Sequence, residues 1–150
     1  MIKLLYIAAT IILLIIIVFF VLGVISKNGQ APGLKDGQLQ ACASTENCVI
    51  SETVDGIKNT IEPFTFEGDI NTSIIKLKTA IESMKGEIVI VEEGYIASTF
   101  TSGIFGFVDD LEVRVTEDKK VHFRSSSRVG KSDLGANKKR VDELKRLLKE

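Results

Sequence analysis

The sequence predicts an α+β domain: a mainly antiparallel sheet of four or five strands with two helices on one face, preceded by one N-terminal transmembrane helix. Three observations predict it. Leu4 to Ile25 is an apolar run without a charge. Between Glu87 and Ser127, short segments alternate apolar and polar residues between turn signals. Two further stretches, after Asn71 and at the C-terminus, repeat their apolar residues at helical spacing. A single sheet with its helices gathered on one side buries both kinds of apolar surface.

The apolar run has 22 residues. As a helix it spans about 33 Å, against about 30 Å for the hydrocarbon core of a bilayer. The apolar part of a cleaved signal has about 7–15 residues and ends in a small-residue site. Val24-Ile25-Ser26-Lys27 is not such a site. An uncleaved anchor is the preferred reading, and a cleaved signal competes with it. Residues 1–3 are then a short cytoplasmic tail, 4–25 the anchor, 26–40 a tether and 41–150 an exported domain. Lys3 on one side and Lys27 and Lys35 on the other give little charge bias, so the orientation rests on the shortness of the tail. The expected location is the inner (cytoplasmic) membrane, single-pass, with the C-terminal domain on the periplasmic or extracytoplasmic side.

The tether, Ser26 to Gln40, holds three glycines and one proline and has no apolar periodicity. It reads as a flexible link. Cys42 and Cys48 follow. Two cysteines at short spacing in an exported domain predict a disulfide. A structural zinc site needs four ligands, and the one histidine, His122, is far away in sequence. In a cytosolic domain the two would be free thiols.

Ile57 to Phe66 has strand-like residues, and Pro63 limits it to an edge strand or extended arm. Asn71 or Thr72 is expected to cap a helix to about Lys85, with Ile74, Ile75, Leu77 and Ile81 on its apolar stripe and Gly86 ending it. Glu87–Val91 and Tyr95–Ser102 form a hairpin about Glu93-Gly94. Gly103 and Gly106 predict a bend or bulge. Phe107–Thr116 and Lys120–Ser127 form a second hairpin about Glu117-Asp118-Lys119. Leu111, Val113 and Val115 alternate there with Asp110, Glu112 and Arg114, which predicts one dry face and one wet face. With Thr116 facing Lys120, Glu112 falls opposite Arg124 and Asp110 opposite Ser126. The last helix runs to Glu150 with Val141, Leu144, Leu147 and Leu148 on its stripe, capped by Asp133 or Asn137.

The net charge of −1 hides an asymmetry: residues 27–112 carry 14 acids and 6 bases, residues 113–150 carry 6 acids and 12 bases. Such a division steers a charged partner or is neutralised internally. The Ser/Arg stretch from Arg124 to Arg140 is where these two readings meet. As an anion site, Arg124, Ser126 and Arg128 share a strand face, while Ser132 and Asn137 lead into a helix N-terminus with Arg140 beside it. As internal pairing, Asp109, Asp110 and Glu112 are the partners of Arg124, Arg128 and Arg140. Asp109 and Asp110 are adjacent and therefore point to opposite faces of a strand, poor geometry for paired-carboxylate catalysis. Ser125, Ser126 or Ser127 with Lys131 has no nucleophile spacing, and His122 reads as a solvated histidine. No phosphate loop, dinucleotide fingerprint or metal cluster is present in the sequence. No cofactor is implied, and the basic C-terminal region lacks the interleaved aromatics of a nucleic-acid surface.

Several blocks occur together: Cys42-x5-Cys48, Ile61-Glu-Pro-Phe, Gly94-Tyr-Ile-Ala, Phe107-Val-Asp-Asp-Leu-Glu and the stretch from Arg124 to Val141. In that order they resemble the bacterial and plastid family called domain of unknown function 1499, over about Leu39 to Leu147. Ala43, Lys131 and Lys138 depart from the residues common in that family. The resemblance implies an envelope-associated domain and brings no established activity. The expected function is a membrane-anchored envelope domain that binds a partner, an anionic small molecule or a lipid head group. The alternatives are an envelope hydrolase or transferase using Asp109 or Asp110 with Arg128, and a purely structural domain. The expected partners are the membrane, through Leu4–Ile25, and an anionic ligand or envelope protein.

Overall fold

A computed structural model of the chain describes residues 1–54, 56 and 60–150. A 26-residue helix, α1 (Ile2–Lys27), opens the chain. Two short strands, β1 (Leu34–Lys35) and β2 (Gln38–Leu39), pair as a small hairpin. Then follow β3 (Cys48–Ile50), β4 (Phe64–Thr65), α2 (Ile70–Ser83), β5 (Glu87–Glu92), β6 (Tyr95–Thr101), β7 (Val108–Val115), β8 (Lys120–Ser127) and α3 (Ala136–Leu147). The fold is α+β, as expected, but the sheet has six strands. Its order is β3-β8-β7-β6-β5, and β4 also pairs with β8. The extra strand arises because two short strands share one edge of β8: β3 pairs along Arg124–Ser126 and β4 along Lys120–Val121. The strand expected over Ile57–Phe66 is limited to β4, immediately after Pro63; Ile57, Lys58 and Asn59 lie outside the described residues.

Both predicted hairpins form. Between β7 and β8, Glu112 lies opposite Arg124 and Asp110 opposite Ser126, the register expected from the turn. At Gly103–Gly106 the chain bends in the turn between β6 and β7, one of the two outcomes expected there; a bulge falls instead within β5, between Ile88 and Ile90. Asp69 caps α2, not Asn71 or Thr72: its carboxylate accepts from the Thr72 amide at 2.8 Å. Lys85 takes the left-handed conformation at the end of this helix (φ 66°). Gly86 is needed for a different reason, since a Cβ there would lie 2.6 Å from both Ile81 and the Phe100 ring.

The two faces of the sheet are dry for different reasons. On one, α2 and α3 bring Leu77, Ile81, Val141 and Leu144 onto Ile96, Leu111, Val113, Val121 and Phe123. Burial of about ten such side chains is the main driving force for this layer. The other face was expected to be wet. It is instead covered by residues 29–42 and the strand edge after Cys48, with Leu39, Cys42, Cys48, Ile50, Tyr95 and Ala97 buried together. The segment 26–40 is thus an ordered arm rather than a flexible tether. Gly33 donates its amide to Glu112 at 2.9 Å, and Leu39 to Glu52 at 2.8 Å. The hairpin in this arm turns on Asp36-Gly37, both at positive φ (52° and 76°), the backbone that an Asp-Gly pair favours. Cys42 and Cys48 form the expected disulfide, Cα–Cα 5.8 Å, which fixes the loop between the arm and β3.

Candidate functional site

β8 alternates, so its Ser/Arg residues divide between the two faces. Arg124 and Ser126 point to the arm face, Ser125 and Ser127 to the helix face. The six residues expected to make one anion site are therefore not brought together. Arg124, Ser126 and Arg128 lie on the arm side. Asn137 and Arg140 belong to α3 on the other side, and Ser132 is exposed in the connecting loop.

On the arm face, three acids meet three arginines in a row. Arg114 reaches Glu52 at 2.5 and 2.7 Å, Arg124 reaches Glu112 at 2.9 Å, and Arg128 holds Asp110 through two nitrogens at 2.9 and 2.7 Å. Glu52, Glu112 and Asp110 are all buried, Glu112 completely. Glu112 also accepts from the Tyr95 hydroxyl at 2.8 Å and from the Gly33 amide. Burial pushes its carboxyl above the ordinary range, against the opposing pull of Arg124 and these donors. Burial, and then the charge of Glu112, raise the Tyr95 phenol, which stays a donor at neutral pH. The Nε–H of Arg124 is buried and finds no acceptor among the described residues.

His122 stands beside this row and is half-buried rather than solvated. Its Nδ1 lies 3.3 Å from the Ser51 hydroxyl and 3.7 Å from Glu52. Burial lowers its pKa, Glu52 raises it and Arg114 lowers it again, with a net shift downward.

On the helix face, Asn137 is fully buried and all its polar atoms are engaged. Its carbonyl oxygen accepts from Ser125 at 2.7 Å and Arg140 at 2.5 Å; its amide donates to the Asn47 carbonyl at 2.8 Å and to Ser127 at 3.1 Å. Arg140 also donates to Asp109 at 2.7 Å and stacks over Phe100 at 4.6 Å. The N-terminus of α3 is occupied by the chain's own carboxylate. Asp133 accepts from the amides of Gly135 at 2.9 Å and Asn137 at 2.7 Å, while Gly135 itself takes φ 80°. Burial raises the Asp133 carboxyl, and these donors more than reverse it, so it is held below the usual range.

The arrangement is one of satisfied ion pairs. Asp109 and Asp110 face opposite sides of β7 and each already holds an arginine, so they do not form an acid–base pair. Among the described residues no group of three or more His, Cys, Asp and Glu is set to hold a metal ion.

Arg128 does more than neutralise Asp110. Its remaining nitrogen donates to the Ser26 carbonyl at 3.1 Å and approaches that of Lys27 at 3.5 Å. Both carbonyls lie at the C-terminus of α1, where the intrahelical ladder runs out; that of Ser26 also accepts from the Gly29 amide at 3.3 Å. Ser26 is itself buried, and its hydroxyl accepts from the Val108 amide at 3.0 Å while donating to Gly23 at 2.6 Å. The end of the helix is thereby joined to the start of β7 at Val108.

Composition hid the roles of Ser26, Asn47, Glu52 and Tyr95, because their partners are far away in sequence. The alternation Asp110-x-Glu112-x-Arg114 opposite His122-x-Arg124 was the available sign that one face carries a charged row.

The family described as "Protein of unknown function (DUF1499)" matches residues 38–148. Nothing among the curated proteins matches the chain. The chain belongs to this family, and the matched region takes in the sheet, α2, the paired arginines and α3.

Proposed function

We propose that the chain is a single-pass membrane protein of the cell envelope whose family domain lies outside the cytoplasm, fixed to its anchor, as a non-catalytic structural or partner-binding module. In this reading the Ser/Arg block is the joint between domain and anchor. The observation that carries it is Arg128, whose guanidinium is shared between buried Asp110 and the carbonyl end of α1. Two features support the location. α1 is long and apolar enough to cross a membrane, and a disulfide suits an oxidising compartment. The test is made in cells on the full chain with a C-terminal tag. The protein should stay in the membrane through alkaline carbonate extraction, retain its N-terminal residues, and have both cysteines protected from alkylation until reduced. Release by carbonate, or free thiols in intact cells, would overturn it.

A second reading, binding of a phosphate or carboxylate, is favoured by one observation, the buried Arg124 Nε–H without an acceptor among the described residues. It requires the arm over Glu112 to move. A thermal-shift screen of phosphates, carboxylates and anionic lipid head groups at low salt tests it. A rise in melting temperature that disappears in Arg124→Lys supports it; no rise with any compound removes it.

A further inference from the structure

β6 and β7 are joined at the end of the sheet that meets α1. From Thr99 to Val108 this connection carries no charged residue. Ile104 stands at the tip of the turn and is 77% exposed. Phe105 packs its ring 5.1 Å from Phe19 and 5.2 Å from Phe20, and Phe107 meets Phe19 edge-on at 6.1 Å. The loop backbone presses against the helix at Gly23, where a Cβ would lie 1.9 Å from the Phe105 carbonyl oxygen. Gly106 takes φ 68° beside the side chain of Lys27. The loop therefore runs along the last two turns of α1, from the level of Lys27 down to that of Phe19.

Depth follows from helix geometry. Lys3 and Lys27 are the only charges in α1. A hydrocarbon core of about 30 Å centred between them takes in roughly residues 5 to 25 at 1.5 Å per residue. Phe19, Phe20 and Gly23 all fall inside it, and whatever packs on them shares their depth. The loop also closes on itself where it leaves the sheet. Its ends are closed internally, the Ser102 amide donating to the Phe107 carbonyl at 2.8 Å and the Phe107 amide to the Ser102 hydroxyl at 2.9 Å. Backbone groups that enter lipid need such partners.

We propose that the loop Gly103–Phe107 is a second membrane contact, seated among the acyl chains next to α1, so that the domain rests on the bilayer in one orientation. The inference depends on α1 being retained as a membrane span. Phe105 and Phe107 fill the angle between loop and helix, and Ile104 faces lipid.

The protein has no tryptophan, so one introduced residue is an unambiguous reporter. Three full-length variants, Ile104→Trp, Leu13→Trp and Glu93→Trp, are placed in nanodiscs of phosphatidylethanolamine and phosphatidylglycerol, with and without lipids brominated on the acyl chain. Glu93 lies in the turn at the far end of β6 and reports water; Leu13 reports the span. Ile104→Trp should emit to the blue of Glu93→Trp and be quenched by bromines near the head group, while Leu13→Trp is quenched by deeper ones. If Leu13→Trp is quenched and Ile104→Trp behaves like Glu93→Trp, the anchor stands and the loop contact is overturned. Blue emission at position 104 without lipid quenching would mean a protein cover, and also overturns it. If Leu13→Trp is not quenched, the anchoring reading fails and takes the loop contact with it.

Discussion

Arg128 grips both carboxylate oxygens of Asp110, at 2.9 and 2.7 Å, and turns its remaining nitrogen to the end of the N-terminal helix. Asp110 is only 3% exposed. Removing its partner leaves a buried carboxylate without compensation, which costs about 3–5 kcal/mol. Arg128→Ala should lower the denaturation midpoint of the detergent-solubilised full chain accordingly. Arg128→Lys should recover part of the loss, because a lysine supplies charge but not the two-pronged grip. If Arg128→Ala unfolds like the parent protein, the joint carries no stability.

The pair one step along the ladder responds to pH. Arg124→Ala should cost about 3–5 kcal/mol at neutral pH, because Glu112 stays fully buried. Glu112 has a folded pKa above its ordinary 4.5. An acid with a raised folded pKa loses stabilisation as pH rises from the unfolded value through the folded one. Comparing the parent with Glu112→Gln in urea melts should therefore show the parent's relative stability falling across that window. An unchanged difference would mean that Arg124 fully offsets the burial.

His122 is the single histidine, so its ring protons can be followed by NMR without ambiguity. Burial holds its pKa below 6.5. The unfolded chain then binds the proton first, and stability contributed by neutral His122 is lost as pH falls below about 6.5. An apparent pKa at or above 6.5 would contradict its half-buried setting between Ser51 and Glu52.

The Cys42–Cys48 bridge closes a short loop that carries the arm into β3. In the chain-entropy account, removing it costs about 2–3 kcal/mol. The double substitution to serine should lower the midpoint by that amount. It should also raise hydrogen exchange at the Leu39 amide, which donates to Glu52, since the arm is held only from one side. Exchange unchanged at Leu39 would show that the arm is held without the bridge.

At the other end of the block, Asp133→Ala removes the acceptor for two amides of α3 and should cost about 1 kcal/mol. Because the Asp133 carboxyl is held below its ordinary 3.8, its stabilisation is present above that value and lost as pH falls through the folded pKa. The variant and the parent should converge in acid. A constant gap down to the lowest pH studied would assign the loss to something other than the carboxylate.

The parts that local rules govern can be read directly from the chain. The apolar length of residues 4–25, the alternation in β7 and β8, the turn at Glu117-Asp118-Lys119 and the helical stripe of Val141 and Leu144 each follow from spacing along the chain. The turn also sets the register, and the register alone makes Glu112 and Arg124 neighbours. Which surfaces are covered, and by what, is settled by the fold alone. Alternation marks the polar side of β7 but does not say that residues 29–42 fold back over it, because that arm has no periodicity and makes its bonds to residues as distant as Glu112. The same holds for Asn71 and Thr72, displaced as caps by Asp69, and for the Ser/Arg block. Along the chain, that block is an excess of positive charge. Folded, three of its arginines are divided between two faces and each takes an acid, since a buried guanidinium must find its compensation within reach of its own face of the sheet.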